Sequence, residues 1–337
     1  MHFPENLIFH TNKTYQIEVL DFVSSWYNKR ETLEANTSGS TGIPKKIQIH
    51  KGAMAASARK TLDFFQLKPN DNAALFLSVH TIAGKMMIVR ALLGQLNLHI
   101  FSPTNNISNF LNMPCDFIPL VPSQVENAID AGTLKGIKTI LVGGAPISTQ
   151  LNKKLIEHKI TVYQSFGMTE TLSHIAVRKR GWEDELAYSA LKNVHFSVRD
   201  NCLVIHSPDI LIEDLQTNDI IDLISPTQFI WKGRKDFVIN SGGIKLHPEE
   251  IENKLSKDLA TRFFVSSIPD DKWGEKLVLV IEGKPVDLLT KNWFQKRLSK
   301  FEIPKAVAFC TFVLTESGKI NRLETLKNCT ESDWKIL

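Results

Sequence analysis

The sequence has no run of 18 apolar residues. Its longest apolar stretch, "GKMMIVRALLGQL", is broken by Arg90, so no membrane-spanning helix is expected. Cysteine is scarce and unpatterned: Cys115, Cys202, Cys310 and Cys329 form no CxxC pair, and their spacings fit neither a zinc site nor a disulfide framework. Reduced thiols in a cytoplasmic protein are the expectation. The start, "MHFPENLIFHTNK", lacks a cationic stretch followed by an apolar core, so no secretory signal is expected. Charge of one sign is also lacking, since Lys and Arg are interspersed with Asp and Glu to a net charge of +4. That excludes a basic stripe, and no nucleic-acid partner is expected. Repeats and low-complexity linkers are absent too. What remains is an ordinary globular composition, 43% hydrophobic and 23% charged over 337 residues. A chain of that length buries a sizeable core and predicts two domains.

Strand and helix patterns alternate. "AALFLSV" (73–79) reads as a buried strand, and residues 84–96 as an amphipathic helix. "IKTILVGG" (137–144) predicts a strand ending in a glycine turn, "PISTQLNKKLIEHK" a helix and "ITVYQSFG" another strand. This order predicts an α/β layered fold with a mainly parallel sheet. After about residue 190 the elements shorten. "NVHFSVRDNCLVIHS" predicts a hairpin across Arg199-Asp200-Asn201, and Pro248 with Glu249 and Glu250 marks a helix start. The last hundred residues read as a small α+β unit, and the polar turn "KGRKD" (232–236) is the boundary.

The stretch "NTSGSTGIPKKIQIHK" (36–51) packs hydroxyls and glycines into a short span and closes on proline and lysine. It is not the P-loop GxxxxGK[ST], because lysine directly follows proline and a strand pattern follows, not a helix. It is either an anion cradle of backbone N–H groups, hydroxyls and lysine, or a solvated loop between strands.

Its order, "TSGSTGIPK", resembles the phosphate-binding signature of the adenylate-forming superfamily, which includes acyl-CoA synthetases, luciferases and adenylation domains. "LVGGAP" (141–146) is similar to that family's adenine-binding turn, and "QSFGMTET" (164–171) to the signature that meets adenine, α-phosphate and magnesium. "TND" (217–219), "GRKDFVINSGGIKLHPEEIE" (233–252) and "TESGKINR" (315–322) resemble the ribose motif, the hinge region and the C-terminal lysine motif. The matches run in the family's order from residue 37 to 322.

The resemblance implies an α/β layered N-terminal domain (1–233) that binds nucleotide and acid, a hinge (234–236) and a small mobile α+β C-terminal domain (237–337) carrying a catalytic lysine. It also implies cofactor contacts. Thr37, Ser38, Gly39, Ser40, Thr41, Gly42 and Lys45 would form the phosphate loop, with Ser40, Thr41 and Lys45 on the β- and γ-phosphates of ATP. Gly143, Gly144 and Ala145 would approach the purine. Phe166, in place of a common tyrosine, would stack on it, beside Gly167 and Met168. Thr169 would bond the α-phosphate and Glu170 would hold magnesium. Asp219 and Arg234 would bind the ribose. Lys319 would reach both the attacking carboxylate and the α-phosphate, neutralising their repulsion. Asp236 would be the hinge, and Gly242 and Gly243 would line a channel for CoA.

For the acid, "LSVHTIAGKMMIVRALL" (77–93) resembles the family's substrate-lining stretch. Gly84 and Arg90 keep its spacing. The family's histidine falls on Thr81, with His80 one position early, so His80 is either a substrate contact or a structural histidine. Lys85 and Arg90 offer cations for a second substrate carboxylate, or are solvated or snorkelling side chains. Ser173 and His174 lie near the acid or are plain strand residues. Together with "LVPSQV" and "GMTETLSHIAVR", this segment is most like short bacterial o-succinylbenzoate–CoA ligases of menaquinone biosynthesis. The resemblance implies an AMP-forming acid–thiol ligase using ATP, Mg2+ and CoA. A ligase for another acid or a carrier-protein thiol, and a nucleotide-binding protein without catalysis, are the alternatives. The glycine-rich loop begins earlier than in most of the family, and by that comparison the shorter N-terminal region is expected to leave surface for a partner subunit to cover.

Overall fold

The computed structural model describes residues 4–36, 46–107, 113–259, 261–285, 289–314 and 320–337. Strand β1 (Leu7–His10) is followed by helix α1 (Lys13–Tyr27) and a two-stranded hairpin, β2 (Thr32–Asn36) and β3 (Lys46–His50). Then come α2 (Lys51–Phe65), β4 (Asn72–Leu75), α3 (Ile82–Gly94), β5 (Asn97–Phe101), β6 (Cys115–Leu120), α4 (Pro122–Asp130), β7 (Ile137–Val142), α5 (Thr149–Glu157) and β8 (Thr161–Gly167). The chain next runs through β9 (His174–Gly181), β10 (Tyr188–Ala190), β11 (His195–Arg199), β12 (Cys202–Ser207), β13 (Ile212–Ser225) and β14 (Gln228–Arg234). Apart from β2 and β3 these strands form one 12-stranded sheet in the order β1-β5-β4-β6-β7-β8-β9-β10-β14-β13-β12-β11.

The sheet is mixed, where the sequence predicts a mainly parallel one. From β1 to β8 every neighbour is parallel. From β8 onward every pairing is antiparallel. The reason is local: β8 and β9 are joined by a short turn, and a parallel return needs a crossover of a dozen residues or more. In the parallel half successive side chains feed opposite faces. Ala73, Leu75 and Phe117 join the core under α1, α2 and α3, whereas Ala74, Phe76 and Ile118 join the core under α4 and α5. Each fully buried Leu or Phe there contributes about 1.5–3 kcal/mol.

Three expected boundaries shift. The strand expected over 73–79 ends at Leu75. The carbonyl of Ser78 takes the Thr81 hydroxyl at 2.7 Å, which turns the chain into α3. Helix α3 therefore begins at Ile82, with Thr81 as its N-cap accepting the Gly84 N–H, and ends at a left-handed Gln95. Helix α5 starts at Thr149, because Ser148 caps it. The hairpin at Asp200-Asn201 forms as expected: Arg199 pairs with Cys202, and both turn residues have positive φ, 53° and 61°.

A second sheet follows the turn at residues 235–237. Its strands are β15 (Ile239–Ser241), β16 (Ile244–Leu246), β17 (Phe263–Asp270), β18 (Gly274–Glu282), β19 (Ala306–Cys310) and β20 (Trp334–Ile336). Helices α6 (Pro248–Leu255) and α7 (Lys291–Gln295) cover its core of Leu255, Leu279, Phe294 and Val307, and α8 (Arg322–Lys327) lies near the chain end. The two parts touch where Gln150 Nε2 donates to Leu259 O at 2.8 Å and Thr149 Oγ1 meets Ser256 Oγ at 2.6 Å. Among the described residues no helix is long and apolar enough to cross a membrane.

Candidate active site

Parallel pairing of β7 with β8, Val142 opposite Gln164, brings two of the motifs to one end of the sheet. Ligands of open α/β sheets bind beyond the carboxyl ends of parallel strands, which is where both motifs emerge. Gly143 leaves β7 so close to β8 that a Cβ there would sit 2.7 Å from Ser165 Oγ. Gly144 follows with φ +83°, and Ala145 is exposed. Phe166 at the end of β8 is half-buried, with one side against Phe229 (centroids 5.1 Å) and Tyr188 (5.5 Å).

The turn from Gly167 to Ser173 is held by a residue that the sequence reading passed over. Thr171 is fully buried, and its hydroxyl accepts the Met168 N–H at 2.9 Å while donating to Ser173 O at 2.7 Å. A Cβ at Gly167 would lie 2.3 Å from that same Ser173 carbonyl oxygen. Leu172 is left-handed, φ 65°, a conformation costing a bulky residue about 1–3 kcal/mol and kept only where surroundings dictate it. The turn places buried Thr169 and exposed Glu170 at a cavity of about 220 Å³, whose opposite wall is β3. The hairpin β2–β3 carries the glycine-rich loop, with Asn36 paired to Lys46 across its base. The loop positions Thr37, Ser38, Gly39, Ser40, Thr41, Gly42 and Lys45 lie outside the described residues, as does Lys319.

Asp219 and Arg234 stand directly opposite each other on β13 and β14. Burial pushes the Asp219 carboxyl up, against the hydrogen bond that Trp231 Nε1 donates to Asp219 Oδ1 at 2.8 Å and the charge of Arg234. Trp231, unmarked in the sequence, thus orients Asp219. Arg234 pairs with Asp236 at 2.6 Å in the 3-10 turn Lys235–Phe237. Gly242 and Gly243 form the two-residue turn between β15 and β16 with φ +59° and +81°, and a Cβ on Gly242 would meet the Trp273 ring at 2.6 Å. Positive φ at both positions favours glycine, and at Gly242 the Trp273 ring also leaves no room for a Cβ.

The substrate candidates separate into three places. His80 is on the surface, 3.1 Å from Glu18 Oε2, and Thr81 is a helix cap. Neither is on a strand. Gly84 lets α3 press against the preceding loop, since a Cβ would fall 2.1 Å from Ser78 O. Lys85 donates to Glu34 O at 3.0 Å, tying α3 to β2, and burial lowers its pKa. Arg90, Ser173 and His174 meet in one buried network. The Arg90 guanidinium donates through Nε to Thr61 Oγ1 at 3.1 Å and through Nη2 to Ser173 Oγ. His174 Nδ1 is 3.1 Å from Ser173 Oγ. Arg90 is 2% exposed, and no carboxylate among the described residues pairs with it. Burial pushes it down to about 9 and, with Arg90 alongside, holds His174 well below the usual histidine range, hence neutral.

Residues 36–201 match the AMP-binding enzyme family. A solved acyl-CoA synthetase (AMP-forming)/AMP-acid ligase II-like protein from Dyadobacter fermentans is 33% identical, with 94% of this chain and 95% of that one covered and a TM-score of 0.64. The chain belongs to the AMP-binding, adenylate-forming enzymes. Among relatives in that family, the 2-succinylbenzoate–CoA ligase of Lactococcus lactis is 25% identical over 86% of this chain and 69% of its own length. The o-succinylbenzoate CoA synthetase of Bacillus subtilis shares the fold. Its complex with the acyl-adenylate intermediate superposes with a TM-score of 0.75 at 22% identity, over 88% of this chain and 69% of that one. Its complex with ATP and magnesium gives 0.75 at 19%, over 95% and 79%.

Proposed function

We propose that the chain is an ATP-dependent acid–CoA ligase that works through an acyl adenylate, and that its acid is 2-succinylbenzoate. The observation that carries the substrate is Arg90, a buried cation with hydroxyls but no carboxylate around it. Taking such an ion out of water costs several kcal/mol unless an anion meets it. A dicarboxylic acid supplies that anion with the carboxylate that does not react. The neutral His174 and the Ser173 hydroxyl add hydrogen-bonding groups without competing charge.

For the nucleotide, Thr169 would hold the α-phosphate, and Asp219 and Arg234 the ribose. Gly143 and Gly144 admit the purine beside Phe166. Glu170 is a single carboxylate, and among the described residues no cluster of three metal-ligating side chains forms a cage. One carboxylate suits magnesium, which keeps waters and takes phosphate oxygens as its other ligands. Bound there, magnesium would spread the charge of the phosphates. Lys319 would then neutralise the approach of carboxylate to α-phosphate, and CoA would enter past Gly242 and Gly243.

The test is ATP–pyrophosphate exchange across aryl, aliphatic and dicarboxylic acids. Exchange with 2-succinylbenzoate, followed by thioester formation with CoA, is the expected result. Exchange with benzoic or fatty acids but not with 2-succinylbenzoate overturns the substrate and leaves the chemistry. No exchange with any acid means a nucleotide-binding protein without catalysis. Trp231→Phe is expected to raise KM for ATP about tenfold with kcat little changed, because a hydrogen bond to a buried carboxylate is worth about 1.5–3 kcal/mol. An unchanged KM would mean that Asp219 does not depend on Trp231.

A further inference from the structure

Arg322 follows Lys319 by three residues and opens α8. Its side chain reaches α6: Nη1 lies 2.9 Å from Glu252 Oε1, and Nη2 donates to Glu252 Oε2 at 3.0 Å. Glu252 Oε1 also accepts the Val265 N–H of β17 at 2.7 Å. The pair is shielded, with side-chain exposures of 21% and 18%. Burial pushes the Glu252 carboxyl up, to about 7 even with Arg322 pulling against it. The guanidinium also sits 4.8 Å from the centre of the Phe237 ring and 5.6 Å from that of Phe264. Phe237 belongs to the same 3-10 turn as Asp236.

The segment just before Arg322 is pinned as well. Ile320 bridges to Leu314, and the Asn321 N–H donates to Val313 O at 2.8 Å. Both ends of residues 315–319 therefore meet at one bridge, and Arg322 fastens that bridge to α6, to β17 and to the turn of residues 235–237. A planar, two-pronged guanidinium–carboxylate contact fixes orientation as well as distance, which a lysine cannot reproduce.

We propose that Glu252 and Arg322 are positioning residues for Lys319, fixing the Leu314–Ile320 bridge next to it in the chain and tying that bridge to the turn at Asp236. The inference rests on the reading of Lys319 as the adenylating cation. A misplacement of about 1 Å in such a group costs about 100-fold in rate.

Glu252→Gln and Arg322→Lys in the full chain test this, each assayed in two half-reactions. In ATP–pyrophosphate exchange with 2-succinylbenzoate, kcat is expected to fall about 10- to 100-fold with KM for ATP held within about twofold. Thioester formation from CoA and supplied 2-succinylbenzoyl adenylate is expected to stay within about twofold, since it bypasses the first step. A parallel fall in both half-reactions marks a merely structural pair and overturns the proposal, as does no fall in either. If the wild-type chain exchanges with no acid, the functional reading fails on its own account. Amide hydrogen exchange then decides the positioning claim: protection of Asn321 is expected to drop about tenfold in both variants, and unchanged protection overturns it.

Discussion

Lys319→Ala is expected to lower ATP–pyrophosphate exchange with 2-succinylbenzoate by about 100- to 1000-fold, with KM for ATP changed far less. The attacking carboxylate and the α-phosphate are both anions. Two unit charges about 4 Å apart repel by about 4 kcal/mol at the effective dielectric of a partly buried site. A cation between them removes a penalty of that order only as they approach, so the effect falls on kcat. At about 1.4 kcal/mol per factor of ten, 4 kcal/mol is close to 1000-fold. The second half-reaction has no phosphate-to-carboxylate approach to neutralise, and thioester formation from supplied adenylate is expected to survive within about tenfold. A variant that keeps exchange within about tenfold of wild type would mean that another cation does this work. Lys85 would be the first to test, because it lies against β2 at the root of the glycine-rich loop.

Much of this site was legible in the sequence because its pieces are local. The turns "LVGGAP" and "QSFGMTET" follow strands whose apolar runs are plain, and parallel pairing of neighbouring strands then places them side by side. The hairpin at Asp200-Asn201 was legible for the same reason, since two residues that tolerate left-handed backbone stand between alternating strands. Asp219 opposite Arg234 needed only the strand–turn–strand pattern around them.

What the sequence hid is long-range. Arg90 reads on its own helix as a charge interrupting an apolar run. Its partners are 29 and 83 residues away, and nothing in the local pattern marks Thr61 or Ser173 as their ends. Glu252 and Arg322 are 70 residues apart and would pass as surface charges. The mixed sheet has the same origin. Periodicity finds strands, but their direction depends on how long each connection is, and the short turn after Gly167 reads first as a binding motif. His80 was equally hard to place from the local pattern: it precedes the cap Thr81 and is an exposed partner of Glu18.

Arg90→Met is expected to separate stability from specificity. The guanidinium is buried with hydroxyl partners only, and its burial cost is not repaid within the described residues. Methionine fills a similar path through the core without charge, and replacing buried ions by apolar groups of similar volume is neutral or stabilising by about 1–4 kcal/mol. The melting temperature is therefore expected to hold or rise. Activity moves the other way. Without Arg90 the non-reacting carboxylate of 2-succinylbenzoate would be buried unpaired, at a cost of about 2–5 kcal/mol, so kcat/KM for that acid should drop at least about 30-fold. A monocarboxylic aryl acid loses no ion pair, and exchange with it should change little. Equal losses for the mono- and dicarboxylic acids would show that Arg90 shapes the pocket and does not pair with substrate. A melting temperature that falls sharply would show that Thr61 and Ser173 already satisfy the cation, and the case for a second substrate carboxylate would go with it.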